Sequence, residues 1–169
     1  MDVFQAVRTV LAIREYQTKP VAPDVVRRIV EAGRLTASSM NQQPWHFIVV
    51  EDRETLRRLG ALAKSGPYIA QAAFAIVVGI EKKSRFGVSD ASRAIQSMVL
   101  TAWSDGVGSN WAGFLGFSEV KPLLGIPDEL DVLAILPFGY PAKPVGKGEK
   151  KRKPLSAVAS RERFGQPFS

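Results

Sequence analysis

Thr36-Ala37-Ser38-Ser39-Met40-Asn41-Gln42-Gln43-Pro44-Trp45-His46-Phe47 joins a helical pattern to a strand-like run, Trp45 to Val50. The joining residues are mostly small or polar, with hydroxyls and amides recurring until Pro44 and Trp45 close the segment. Such a loop suits a polar, planar ligand, because binding groups concentrate on loops carried by a rigid scaffold. An ordinary helix-to-strand linker would draw on similar residues, since Ser and Asn hydrogen-bond nearby backbone in turns. The spacing alone leaves both readings open.

Outward from this loop, helical and strand patterns run along the chain. Residues 2–12 are expected to form a helix with Phe4, Val7, Val10 and Leu11 on one stripe. Lys19 precedes Pro20 and is therefore extended. Pro23 suits the first turn of a second helix, with Asp24 near its positive end and Val25, Val26, Ile29 and Val30 buried. After the strand Trp45–Val50, Asp52 is expected to cap a helix over 53–64 through Leu56, Leu59 and Leu62. Phe74 to Ile80 is apolar on both faces and belongs in the middle of a sheet. A charged loop, 81–88, leads to the longest helix, Asp90 to Ser104, with Ser89 as its expected cap and Gly106 as its end. Strands are expected at Ser109–Gly113 and Val132–Phe138, with a short helix opened by Ser118 between them. Beyond Pro141 no periodicity remains, so 141–169 reads as a tail without an apolar set to hold it to its own core. The long helix is apolar beyond one stripe, which together with the tail points to an oligomer of α/β class.

At 169 residues the chain fits one domain, 1–169, with a real core. Its 46% hydrophobic and 23% charged residues are ordinary for a globular protein. It has no cysteine, which excludes disulfides, thiolate catalysis and cysteine-held metal. The start, Met1-Asp2-Val3-Phe4-Gln5, lacks the basic and apolar regions of a signal peptide. Ile69–Ile80 is interrupted by Gln71 and Gly79 and is too short to span a bilayer. A cytoplasmic location without a membrane partner is expected. The net charge of +7 is uneven: Lys143, Lys147, Lys150, Lys151, Arg152 and Lys153, less Glu149, carry +5, leaving +2 elsewhere. One short basic segment without interleaved aromatics is a poor platform for nucleic acid, which is not expected as a partner.

Ser38-Ser39-x-Asn41-x-Gln43-Pro44-Trp45 resembles the flavin loop of the nitroreductase family. Ile13-Arg14-Glu15-Tyr16 is similar to that family's N-terminal basic motif. Gly106-Val107-Gly108-Ser109-Asn110-Trp111-Ala112-Gly113 resembles its central glycine-rich strand, and Gly139-Tyr140-Pro141 with Lys150–Leu155 its C-terminal end. Four motifs in order cover nearly the whole chain. The resemblance implies an α+β fold, a mixed α/β sandwich with a central, mostly antiparallel sheet flanked by helices. It also implies a homodimer whose tails cross to the partner subunit and whose two flavin sites lie at the interface.

The same resemblance implies FMN as cofactor and NADPH or NADH as reductant. Arg14 would stabilise negative charge on the reduced ring. Ser38, Ser39 and Asn41 would offer hydrogen bonds to the ring, usually from the partner subunit, and Gly108 and Ser109 would let backbone approach it closely. Lys150 and Arg152 match the C-terminal Lys-x-Arg that holds the flavin phosphate. Gln43 and Pro44 would shape the loop, and Trp45 would pack in the core. His46, the only histidine, reads as structural and makes no metal site. Gly106-x-Gly108 follows a helix and opens a strand, so it is no dinucleotide fingerprint. One departure is plain. Where many members carry Arg-Arg-Ser or a similar polar triplet, this chain has Val10-Leu11-Ala12, which cannot bind phosphate.

The implied activity is FMN-dependent, NAD(P)H-driven reduction of nitroaromatics, quinones or related electrophiles in a ping-pong cycle without a catalytic side chain. Two rivals remain. One is specialised flavin chemistry, reductive dehalogenation or flavin breakdown, for which 81–88 and 112–118 look too short to form a lid. The other is a dimeric module that binds flavin without catalysis, kept open by the apolar triplet.

Overall fold

A computed structural model of the chain describes residues 1–113, 117–146 and 150–168. Its organising element is β2 (Phe74–Glu81), buried from Phe74 to Ile80. Successive strand side chains point to opposite faces. Phe74, Ile76, Val78 and Ile80 therefore enter one apolar layer, and Ala75 and Val77 the other. Burial on both faces needs strands on both sides. β1 (Trp45–Val50) and β4 (Leu130–Gly139) flank β2, and β3 (Gly108–Ser109) adds beyond β4, giving an antiparallel order β1-β2-β4-β3. A bulge between Val78 and Gly79 shifts the β2–β4 register, so that Leu133 and Ala134 both face the first layer.

The first layer is covered by α2 (Pro23–Arg34) through Val26 and Ile29, and by α4 (Gly87–Ser104) through Ala91, Ile95, Met98 and Ala102. Phe74 and Phe138 stack within it at 4.9 Å. The second layer is covered by α3 (Arg53–Leu62) through Leu56 and Leu59, by the turn Pro67–Gln71, and by α5 (Val120–Leu124). Asp52 accepts a hydrogen bond from the Thr55 amide at 2.7 Å and caps α3 as expected. The fold is α+β, a sheet sandwiched between helices.

Element boundaries moved where tertiary contacts overrode periodicity. The first helix, α1, spans Val3–Thr9 instead of 2–12. Ala12 bridges Ser109 and the Ile13 amide donates to the Ser109 carbonyl at 2.8 Å, which draws the chain into extended form from Val10. The expected stripe of α1 does not enter this chain's core: Phe4 is 75% and Val7 46% exposed, while Ala6 is buried. α4 begins at Gly87, earlier than expected, with Phe86 at its cap; the Ser89 hydroxyl instead donates back to the Phe86 carbonyl. Gly106, at φ 75°, does end α4. The amides of Gly106 and Val107 bond back to Trp103 and Ala102, a Schellman closure. The expected strand over 109–113 is only Gly108–Ser109, with Ala112 bridging Ile135 alone. α5 starts at Val120 instead of at Ser118. Part of the 112–118 segment, expected to be too short for a lid, lies outside the described residues at 114–116, as do residues 147–149 of the basic tail.

Gly108 faces Ile13 so closely that an added Cβ would sit 2.4 Å from Ile13 Cγ1. We therefore expect Gly108→Ala to destabilise the fold by about 1–3 kcal/mol in chemical denaturation, as overpacking does. Shortening Ile13 to alanine in the same chain should recover part of that loss, and additive costs in the double-mutant cycle would contradict this contact.

Candidate functional site

The loop between α2 and β1 is closed on itself. Ser38 Oγ accepts from the Gln43 amide at 2.9 Å, and the Asn41 amide donates to the Ser38 carbonyl at 3.0 Å. Met40, Asn41 and Gln43 all take left-handed angles, at φ 52°, 55° and 52°. For a side-chain-bearing residue that conformation costs roughly 1–2 kcal/mol, so the loop keeps its shape only because its surroundings impose it. Met40 is 75% exposed and Pro44 is buried, so the tip projects while the base is anchored.

The anchor is α4. Asp90, fully buried in its first turn, accepts from the Ser39 amide at 2.9 Å and the Ser39 hydroxyl at 3.2 Å, and pairs with Arg93. Thr36 Oγ1 donates to Ser97 Oγ at 2.8 Å. Burial pushes the Asp90 carboxyl up, but the Ser39 and Arg93 hydrogen bonds outweigh it and hold the group below its ordinary value.

On the other flank of α4 lies a cleft of about 1070 Å³. Val10, Leu11 and Ala12 form one wall, and Ile95 and Val99 of α4 another. Ser109 and Asn110 lie between them, both buried. Arg8, Lys150 and Arg152 supply the cations. Lys150 Nζ donates to the Val7 carbonyl at 2.7 Å, a group left without a helical partner at the end of α1. Burial and the neighbouring Arg152 guanidinium hold the Lys150 ammonium below the usual lysine range. Two cations that disfavour each other in this way form a receptive place for an anion.

Arg14 stands just outside that cleft on the segment after α1. Its guanidinium lies over the Tyr68 ring at 5.9 Å, and Asn110 donates to the Tyr68 hydroxyl. Buried Tyr16, whose hydroxyl donates to the Ile13 carbonyl at 2.7 Å, and the Ile13 amide on Ser109 fix the backbone on either side. Burial raises the Tyr16 phenol well above its ordinary range, so it stays neutral.

Of the residues singled out from sequence, the structure brings Ser109, Lys150 and Arg152 into one cleft. Arg14 and Gly108 border it through Ile13, and Gly108 has a packing role against that side chain. Ser38, Ser39 and Asn41 do not join them. Asp90 and Ser97 are seven residues apart, close to two turns, and share one flank of α4; Val99, about two and a half turns from Asp90, faces the other. Trp45 is half-buried against the first layer, and His46 is exposed on β1. Among the described residues no three or more His, Asp or Glu gather as a metal site, and no helix is long and apolar enough to cross a membrane. Sequence reading missed Asp90, which looked like an ordinary acidic residue at a helix start.

The Nitroreductase family model matches residues 8–75 and 63–140. The chain belongs to the nitroreductase family. A relative from Methanothermobacter thermautotrophicus, named as a NADH dehydrogenase/NAD(P)H nitroreductase, is 34% identical over 154 residues, covering 86% of this chain and 81% of its own. The FMN reductase [NAD(P)H] of Bacillus subtilis is 27% identical, covering 96% of this chain and 74% of its own. The solved structure of an FMN-dependent nitroreductase from Clostridium difficile superposes with a TM-score of 0.84 at 26% identity, covering 96% and 100%. In this nitroreductase-family chain the cleft and the loop are the two features the fold presents on either side of α4.

Because the folded Asp90 carboxyl is depressed, its stabilising contribution is complete above the unfolded value, near pH ~4, and is lost as pH falls through the folded value. The melting-temperature gap between the wild type and Asp90→Asn should hold from neutral pH to about pH 5 and narrow below about pH 4. A constant gap down to strong acid would contradict the ionised tie.

Proposed function

We propose that the chain is an FMN-dependent NAD(P)H oxidoreductase working as a homodimer, in which the cleft of one subunit faces the loop of the other. The observation that supports this best is the cleft itself, cationic at Lys150 and Arg152 and apolar along Val10, Ile95 and Val99. That donor set fits a flat, apolar ring system carrying a phosphate. FMN, when bound, supplies the two-electron chemistry, taking hydride from NAD(P)H and delivering it to an oxidised acceptor.

The chain's own groups bind and polarise. Lys150 and Arg152 would hold the phosphate, with Arg8 in reserve where the usual polar triplet is Val10-Leu11-Ala12. Ser109 and Asn110 would line the ring's approach. Arg14, kept in place by its anchored neighbours, would stabilise charge developing on the ring. Ser38, Ser39 and Asn41 of the partner subunit would close the other side. The exposed apolar stripe of α1, Val3, Phe4 and Val7, and the exposed tail residues Leu155, Val158 and Phe164 are surfaces that a second copy would cover. In this reading 1–169 is one domain, with 141–169 an extended tail crossing to the partner. Nitroaromatics, quinones or related conjugated electrophiles would be the acceptors, reduced in a ping-pong cycle.

Adding NADH or NADPH anaerobically to the FMN-loaded protein should bleach the oxidised-flavin bands, and a quinone or nitroaromatic should restore them. Flavin that stays oxidised with both nucleotides would overturn the oxidoreductase reading in favour of a binding module. Replacing Lys150 and Arg152 together by Met should weaken FMN about 100-fold or more while leaving riboflavin affinity within about twofold, since each of the two charge-assisted bonds is worth ~1.5–3 kcal/mol. Equal losses for both flavins would place the phosphate elsewhere.

A further inference from the structure

We infer that Asp90 is the positioning residue of the Ser38–Gln43 loop, a buried carboxylate on α4 that holds the loop in its cofactor-facing conformation. The inference rests on the proposed function for what the loop faces, but the tie itself is independent of it. Three side-chain-bearing residues of this loop sit in the left-handed region, at φ 52–55°. Its internal bonds, Gln43 amide to Ser38 Oγ and Gln43 Nε2 to the Asn41 carbonyl, give it a shape but no fixed relation to the sheet. That relation comes from outside the loop. Both oxygens of Asp90 are committed to Ser39, one to its amide and one to its hydroxyl, at the residue just before the left-handed pair Met40–Asn41.

A neutral or water-held partner would not serve as well. Asp90 is fully buried, and a buried carboxylate persists only when hydrogen-bonded and paired, here by Ser39 and Arg93. It also lies in the first turn of an 18-residue helix, where the helix dipole favours negative charge. The amide, the hydroxyl and the guanidinium all donate, so the position requires a group that only accepts. Asparagine would turn an NH2 toward a donor. The half-exposed guanidinium of Arg93 balances the charge from outside, on the oxygen that also accepts from the Ser39 hydroxyl.

The test compares Asp90→Asn, Asp90→Ala, Ser39→Ala and Arg93→Met with the wild type. Amide hydrogen exchange of residues 38–43 is read in the flavin-free protein, and FMN affinity by titration. Both Asp90 variants should speed exchange in the loop about tenfold or more and leave β2 unchanged, with FMN affinity falling about tenfold or more. Ser39→Ala, which keeps the amide bond, should fall between, and it carries the test should an Asp90 variant not fold. Arg93→Met, which keeps both Ser39 bonds but leaves the buried carboxylate without its counter-ion, should speed loop exchange less than Asp90→Asn does. Unchanged loop exchange in Asp90→Asn and Ser39→Ala overturns the tie, as does a rise shared equally by β2, which would make Asp90 a general stabiliser. Faster loop exchange with unchanged FMN affinity overturns the positioning role. A wild type that binds no FMN ends the proposed function, while the exchange comparison still decides the tie.

Discussion

Helix α4 is the rigid wall on which everything functional is hung. Its sheet-facing side, Ala91, Ile95, Met98 and Ala102, is locked into the first apolar layer and packs on β1, β2 and β3. One flank carries the loop through Asp90 and Ser97, and the other forms the cleft through Ile95 and Val99. Its end is tied to α1, where Trp103 Nε1 donates to Thr9 Oγ1 at 2.9 Å, and to α2, where Arg28 meets Asp105 at 3.0 Å. A helix cannot turn to bring two opposite flanks together. The loop and cleft of one chain are therefore kept apart by the same packing that makes each of them rigid.

That separation gives a physical reason for a composite site. A two-fold symmetric pair can place each loop against the other subunit's cleft without deforming either. The exposed apolar stripe of α1 fits the same arrangement, because it lies beside the cleft wall that begins at Val10. The strain in Met40, Asn41 and Gln43 then has a use: with Ser38 and Ser39 bonded within their own chain, it carries Met40 and Asn41 out to an exposed tip.

Much of this was legible in the residues. β1, β2 and β4 and the cores of α2, α3 and α4 follow from period and apolar content, and β2 announces its central place by being apolar on both faces. The motif residues identify the family. What stayed hidden depends on contacts distant in sequence. Val10 leaves the helix because Ser109 captures Ile13, and β3 is short because regular pairing with β4 lapses after Ser109 and resumes only as the lone Ala112–Ile135 bridge. The role of Asp90 is invisible from sequence, since its partner Ser39 lies 51 residues away. Periodicity correctly marked the α1 stripe as apolar but could not say that this chain would leave it uncovered.

The central claim, that each site is built from one subunit's cleft and the other's loop, is tested most directly by subunit complementation. A cleft-defective chain, Lys150→Met with Arg152→Met, and a loop-defective chain, Ser39→Ala with Asp90→Asn, are unfolded together, refolded as a mixture and titrated with FMN. If sites are shared, random pairing makes half the dimers mixed, and each mixed dimer holds one intact site and one doubly damaged one. The mixture should then recover about a quarter of the wild-type tight sites, where neither parent has any. A mixture that binds FMN no better than its parents would mean that each chain builds its site alone, contrary to this account.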